Sequence, residues 1–367
     1  MGSTAALAAP ESSNTGAEPT GGAPPRDWKD RLIDRLVPAL RVIPPWLAWW
    51  AGQCLGDVVG GLPIRDVRRA REHLAQAFPG KGRAWAAATA RHGFRHFGGM
   101  MLWTIATLQR PSAAHRRGLV VEGVDNLRAL ARASRRGEGT LGFSGHFGNW
   151  EMLPRLGGAF VPTAVIGKRM RNPRADRLIA AARTRDGATM IYQDDDVRTC
   201  VRELRAGKLV GTLPDQDIPR LAGVFVPWFG TDAYTPSGPA ALALLANVPV
   251  QPIFCYHKHG RWVLHLGPRK KFPRSRDRAA DMTAITAWAM AYEEALVRRA
   301  PHQWVWWHRR WRTRPEDVAR EAALAAEKAA KKTLATEAAK PALAPSPYST
   351  SSPAQTDPMS PPPGTPS

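Results

Sequence analysis

The run TLGFSGHFGNWE, Thr140 to Glu151, decides how the chain is read. Its first five residues, Thr140 to Ser144, form a short apolar run that stops at a glycine, the mark of a buried strand leaving a sheet. Gly145 and Gly148 flank His146, and Glu151 follows five positions after that histidine. On an unbroken helix five residues turn through roughly 500°, so the two side chains would stand about 140° apart and would not meet. If His146 instead sits on the turn leaving the strand, and Glu151 in the first turn of the next helix, the carboxylate reaches back to the imidazole. The two glycines permit such a turn.

The same alternation continues downstream. Strands are expected at PTAVIG (Pro162 to Gly167), ATMIY (Ala188 to Tyr192), KLVGTL (Lys208 to Leu213), GVFVPWF (Gly223 to Phe229), PVQPIFCY (Pro249 to Tyr256) and RWVLHLG (Arg261 to Gly267). Helical patterns fit between them at Asp176 to Arg185, Asp196 to Ala206 and Ser237 to Ala246. Together they predict a largely parallel, buried sheet flanked by helices, an α/β fold. Ser237 ahead of Gly238-Pro239 supplies a capping hydroxyl before a first-turn proline. After Asp281 a long helix leads into PHQWVWWHRRWRTRP (Pro301 to Pro315). There Trp304, Trp306, Trp307 and Trp311 alternate with cations, which suits a lipid headgroup interface, a nucleic-acid surface or packing on the sheet.

Upstream of the sheet, Trp28 to Leu62 begins basic and then runs uncharged from Val42 to Gly56, with Trp46, Trp49 and Trp50 inside it. Fifteen uncharged residues broken by Pro44 and Pro45 fall short of the ~20 that a spanning helix needs. A helix lying in or dipping into a membrane interface is the expectation, with the three tryptophans as its contacts; a core helix is the competing reading. A basic helix, Arg65 to Gly80, and a second helix, about Arg83 to Leu108, follow.

The chain of 367 residues carries 52 Lys and Arg against 31 Asp and Glu, a formal net charge of +21. That surplus points to an anionic partner: nucleic acid, lipid headgroups or an acidic carrier protein. Cys54, Cys200 and Cys255 lie far apart without a CxxC spacing, which favours a reducing compartment over a disulfide framework. The first 25 residues lack the basic start and apolar stretch of a signal peptide. The expected organisation is a disordered tail at 1–25, a helical membrane-associated region at 26–110, an α/β domain at 111–315, a solvated helix at 316–340 and a disordered Pro/Ser-rich tail at 341–367.

A histidine held by a carboxylate on one ring nitrogen can take a proton from a hydroxyl with the other. Such a pair activates an alcohol for attack on an acyl group with no enzyme nucleophile; the plain alternative is a core histidine beside a helix-dipole glutamate. GFSGH resembles the G-x-S-x-G hydrolase elbow, but His146 would crowd the last glycine position. Neither HExxH nor a cysteine cluster is present, so no metal site is expected. GKRMRNPRAD, Gly167 to Asp176, is a cationic loop directly after a strand, where Lys168, Arg169 and Arg171 could grip a phosphate or polarise a carbonyl, or serve as ordinary surface cations. Pro214-Asp215-Gln216-Asp217 ends another strand, at the carboxyl edge where α/β sheets gather ligands.

SGHFGNWE, GKRMRNPRAD, PDQD, GVFVPWFG, SGPAALALL, PVQPIF and PHQWVWWHRRWRTRP, in that order, resemble the bacterial lipid A biosynthesis acyltransferases, the late lauroyl and myristoyl transferases. The likeness runs from about Trp28 to Pro315. It implies a glycerol-3-phosphate acyltransferase type of α/β fold at the cytoplasmic face of the inner membrane. The implied reaction moves a fatty acyl chain from acyl carrier protein or acyl-CoA to a hydroxyl of a membrane glycolipid, with no cofactor and no nucleic-acid partner. On this resemblance His146 and Glu151 match the family's His-x4-Asp/Glu pair, as general base and orienter. Lys168, Arg169 and Arg171 would contact phosphate or donor, and Asp215 would assist. The same pair also serves acylation of phosphatidylinositol mannosides, and a basic membrane-binding protein without activity is the non-enzymatic alternative.

Overall fold

A computed structural model of the chain describes residues 28–108, 110 and 112–338. The tails expected at 1–25 and 341–367 lie outside these residues. The chain divides into two units, Met1–Arg314 and Pro315–Ser367.

The first unit begins with helices α1 (Trp28–Val42) and α2 (Pro45–Gly61), separated at the consecutive prolines. Pro45 stands in the first turn of α2, where its missing N–H costs nothing. Helices α3 (Arg65–Ala77) and α4 (Gly82–Thr107) follow, and α2 packs along α4. The contact is close because it is made by glycine. A Cβ on Gly52 or Gly56 would press on the carbonyl oxygens of Gly98 and Phe94. A short helix, α5 (Ser112–Arg116), leads to the sheet.

Then come β1 (Val120–Glu122), α6 (Val124–Arg135), β2 (Thr140–Phe143), α7 (Leu153–Phe160), β3 (Thr163–Gly167), α8 (Pro173–Thr184), β4 (Thr189–Tyr192), α9 (Val197–Arg205) and β5 (Leu209–Thr212). After these the chain forms β6 (Gly223–Trp228), β7 (Thr231–Pro236), α10 (Gly238–Ala246), β8 (Val250–Lys258), β9 (Arg261–Leu266) and α11 (Arg278–Arg299). The main sheet has the order β1-β9-β8-β2-β5-β3-β4. Strands β8, β2, β5, β3 and β4 are parallel, whereas β9 runs antiparallel to β8 and carries β1 beside it.

Two expectations change here. GVFVPWF leaves the main sheet and pairs with β7 as a separate antiparallel hairpin, and RWVLHLG turns back on its neighbour instead of joining the parallel set. Ser237 does not cap α10; its hydroxyl donates to the Ala222 carbonyl at 3.3 Å. Other helix starts follow the sequence logic. The Asn172 side chain accepts from the N–H groups of Arg174 and Ala175, and Asp196 accepts from Arg198.

Both faces of the sheet are covered, as a parallel sheet requires. Along β8, Phe254 and Tyr256 join the large core with Leu141-to-Phe143 neighbours and Val210, while Ile253 and Cys255 join a second core with Leu130, Met152 and Leu156. Trp304, Trp306 and Trp311 are buried in the larger core, so packing on the sheet is their role and not a headgroup surface. The second unit contains the helix α12 (Pro315–Ala338).

Candidate active site

Parallel pairing of β2 with β5 sets Phe143 opposite Thr212. The ladder is extended by one bond, from the Ser144 N–H to the Thr212 carbonyl at 2.9 Å. His146 and Asp215 are each three residues past that register pair, so two adjacent strands deliver them to the same carboxyl edge. The carboxylate of Asp215 is fully buried. Its Oδ1 lies 2.8 Å from His146 Nδ1, while Oδ2 accepts from the His146 backbone N–H at 2.8 Å and the Trp304 indole N–H at 3.0 Å.

Burial by itself would raise the Asp215 pKa. The positive charge available to His146, together with the bonds from His146 and Trp304, outweighs burial and holds the carboxyl below its ordinary value. An ionised carboxylate only accepts, so Nδ1 of His146 is the donor of this bond, and in the neutral ring the lone pair then falls on Nε2. The ring is 24% exposed and lines a cleft of about 410 Å³ with Phe97, Trp150, Trp307 and His308. Trp150 stands 5.1 Å from the imidazole, centroid to centroid.

Past His146 the backbone is tightly constrained. Gly148 has φ +63°, and a Cβ there would collide with the Cys255 carbonyl. Its N–H donates to Gln303, and that of Asn149 to Cys255. These bonds tie the turn to β8 and to the segment before Trp304.

Glu151 does not reach His146. It lies in a 3₁₀ turn, Trp150–Met152, and both its oxygens are taken by the Arg183 guanidinium, at 2.9 and 2.7 Å. The fork from α8 satisfies the carboxylate completely, and the ring nitrogen that Glu151 was expected to hold belongs to Asp215. Lys168, Arg169 and Arg171 are exposed and are not among the residues that line this cleft. Arg169 lies over the Tyr192 ring at 3.8 Å and pairs with Asp194. Of the three tryptophans in α2, Trp46 and Trp50 point outward, 70% and 59% exposed. Trp49 turns inward against His96, His257 and Trp262.

Several residues of the site carry no local signal in the sequence. Glu293, on α11, is buried, with its carboxyl against Asp215 and the Trp304 indole. Burial first, and then the charge of Asp215, push its pKa well above the ordinary value, against the pull of Arg310. Arg310 is buried too, donating to the Tyr234 carbonyl at 2.6 Å and to Thr235 Oγ1 at 2.7 Å. Burial lowers its pKa to about 10, opposed by Asp215 and Glu293. Of these two buried carboxyls, Asp215 is shifted toward its ionised form and Glu293 toward its neutral one. Asp217, at the wall of the cleft, accepts from the N–H and hydroxyl of Thr313, both at 2.7 Å. His308 accepts at Nε2 from the Asp217 N–H; burial, with His146 and Arg310 nearby, depresses its pKa to about 4. Among the described residues no group of three or more His, Cys, Asp and Glu could hold a metal ion.

The model of the bacterial lipid A biosynthesis acyltransferases matches residues 23–313. The chain belongs to this family. Membership makes it an acyltransferase of lipid A biosynthesis. It is 26% identical over 269 residues to the lipid A biosynthesis palmitoleoyltransferase of Escherichia coli, covering 71% of this chain and 85% of the relative. Against the lipid A biosynthesis lauroyltransferase of the same organism it is 27% identical over 272 residues, 72% and 86% of the two chains. A solved 1-acyl-sn-glycerophosphate acyltransferase from Thermotoga maritima overlaps 61% of this chain and 87% of its own, at 14% identity and a TM-score of 0.29, too loosely to bear on the argument. The family match spans helices α1 to α11, both strand systems and the Trp304–Thr313 segment, so His146, Asp215, Glu151 and Arg183 all fall inside it.

Proposed function

We propose that this family member transfers a fatty acyl chain from a thioester donor, acyl carrier protein or acyl-CoA, to a hydroxyl of a membrane glycolipid such as a lipid A precursor, with His146 as general base. The observation that carries this reading is the His146–Asp215 hydrogen bond at the wall of an open cleft. Asp215 keeps the proton on Nδ1 and stabilises the imidazolium that forms. Nε2 takes the proton of the acceptor hydroxyl as its oxygen attacks the thioester carbonyl. The C–O bond forms, the C–S bond breaks, and the leaving thiolate recovers the proton from the ring, so the products are an ester and a free thiol. Glu151 contributes through Arg183: their paired charges fix the turn that presents Trp150 beside the imidazole.

The membrane reading rests on α2. Ala48, Gly52, Gly56 and Gly60 are buried on one side, while Trp46, Trp50, Leu55 and Val58 are exposed on the other. An apolar face of that kind beside a basic helix fits a protein seated on an anionic lipid surface, with the catalytic unit on the cytoplasmic side. No described helix is long and apolar enough to cross a membrane.

The test of the activity is mass analysis of products. Purified protein, given acyl carrier protein or CoA thioesters and a glycolipid bearing a free 3-hydroxyacyl chain, should add one acyl mass to the lipid. Failure to add it from either donor would overturn the reading.

A further inference from the structure

The cleft that presents His146 is also lined by three guanidinium groups, those of Arg69, Arg309 and Arg312. Arg69, from α3, is fixed in place: it donates to Asp66 at 2.9 Å and to the Trp307 carbonyl at 3.0 Å. Arg309 and Arg312, from the segment after α11, are exposed, and no ion pair engages either among the described residues. Like charges crowd Arg309. Arg65 and Arg69 foremost, and then Arg312, lower its pKa, while Asp66 opposes them. The acid that lines the cleft, Asp217, has its oxygens engaged by the N–H and hydroxyl of Thr313. Counting Arg65, four guanidinium charges less the carboxylates of Asp66 and Asp217 leave two positive charges uncompensated.

Unpaired cations held together repel one another, and a bound oxyanion removes that repulsion. Guanidinium forks suit phosphate oxygens in particular. A phosphate monoester carries about −1.5 to −2 at neutral pH, which matches the surplus. Phe97, Trp150 and Trp307 line the same cleft, with ring centroids 6.2 Å apart for Phe97 and Trp150 and 4.9 Å for Phe97 and Trp307. The cleft therefore combines an apolar wall, a base and an anion cradle, the features needed by an amphiphile that carries a phosphate near its reacting end.

We infer that Arg69, Arg309 and Arg312 form a phosphate subsite of this cleft, which binds the phosphate ester of one substrate and so fixes its reacting group against His146. The inference rests on the acyl-transfer reading proposed above. The phosphate has two possible sources that share oxyanion chemistry: a phosphomonoester on a sugar of the acceptor, whose charge matches the surplus, or the singly charged phosphodiester of a phosphopantetheine arm on the donor.

The test compares the full-length protein with the Arg309→Ala/Arg312→Ala variant on a phosphorylated glycolipid acceptor and on its dephosphorylated counterpart, with donor and acceptor varied separately. If the acceptor supplies the phosphate, KM for the phosphorylated lipid rises about tenfold or more, the loss expected when charge-assisted bonds are removed. In that case kcat changes much less, and the variant no longer distinguishes the two acceptors. A tenfold rise in KM for the donor alone assigns the phosphate to the phosphopantetheine arm. Equilibrium binding of the phosphorylated glycolipid and of acyl carrier protein is read in parallel. Should the wild-type protein bind these but transfer nothing, the acyl-transfer reading fails while the subsite is still judged by affinity. Unchanged KM values and unchanged affinities for both substrates overturn the subsite. So does a loss confined to binding of anionic vesicles, which would make the arginines a membrane contact.

Discussion

Gly145 has no room for a side chain. A Cβ there would fall onto the carboxyl group of Glu293, which is itself enclosed. Glu293, Asp215 and Arg310 thus occupy a closed polar pocket behind His146, and the chain can pass in front of it only as glycine. Gly145→Ala should therefore destabilise the protein by about 1–3 kcal/mol, the usual cost of overpacking. Glu293→Gln, neutral and nearly isosteric with the protonated acid, should leave the melting temperature almost unchanged. Thermal unfolding of the two variants checks this, and a Gly145→Ala protein as stable as the wild type would contradict the enclosed pocket. The site also shows which residue-level inferences a sequence supports. His146 was legible from its place between two glycines at the end of an apolar run. Its partner was not, because spacing offers Glu151 at five residues and hides Asp215 at sixty-nine. The register of β2 against β5 makes that choice, and register is a property of two strands far apart in the chain. Arg183 was hidden for another reason: one arginine in a helix among many others carries no mark until its carboxylate is known.

Where α4 meets its neighbours, four histidines gather. His92 and His302 stack with centroids 4.1 Å apart, and His96 lies 5.6 Å from His302 and 6.4 Å from His257. Trp49 of α2 covers the group at 4.8 Å from His257. Burial and mutual repulsion push His96 well below its ordinary pKa and His302 to about 4; burial lowers His257 as well. For His92, burial and Arg95 act downward against Asp57. Rings whose folded pKa is depressed are neutral in the folded chain and protonated in the unfolded one between the two values. The unfolded state then binds more protons, so stability is full above about pH 6.5 and falls as pH drops toward 4. The buried His96 alone can remove up to about 1.4 kcal/mol per pH unit in that window. Denaturant midpoints measured from pH 7.5 to 4.5 should decline, and His96→Phe should flatten the decline; a variant with the wild-type slope would contradict it. Helices and most strands of this unit were legible in the sequence, because runs such as PTAVIG and PVQPIFCY are predominantly apolar and bounded by turn residues. The direction of β9 and the departure of β6 were not, since an apolar run says that a strand is buried and not which neighbour it takes.

Across the whole chain, the positive surplus and the exposed apolar side of α2 belong to one function in the proposed account, docking at an anionic membrane that holds the acceptor. Composition made the surplus legible, but not its distribution: the C-terminal tryptophans that seemed suited to lipid are core, and Trp46 and Trp50 are the exposed ones. Apolar insertion withstands salt, whereas attraction to headgroups is screened over about 10 Å at 0.1 M ionic strength. Trp46→Ala/Trp50→Ala should accordingly release the protein from anionic vesicles at high salt, where the wild type stays bound; equal retention would place the anchor elsewhere. The central claim is the base pair at the carboxyl edge of β2 and β5. The most direct measurement of it is acyl-transfer turnover in His146→Ala, Asp215→Asn and the double variant. The account predicts that His146→Ala loses about 10²- to 10⁴-fold in kcat, that Asp215→Asn is similarly impaired, and that the double variant is no slower than the worse single one. Near-normal turnover in Asp215→Asn, or losses that multiply in the double variant, would contradict it.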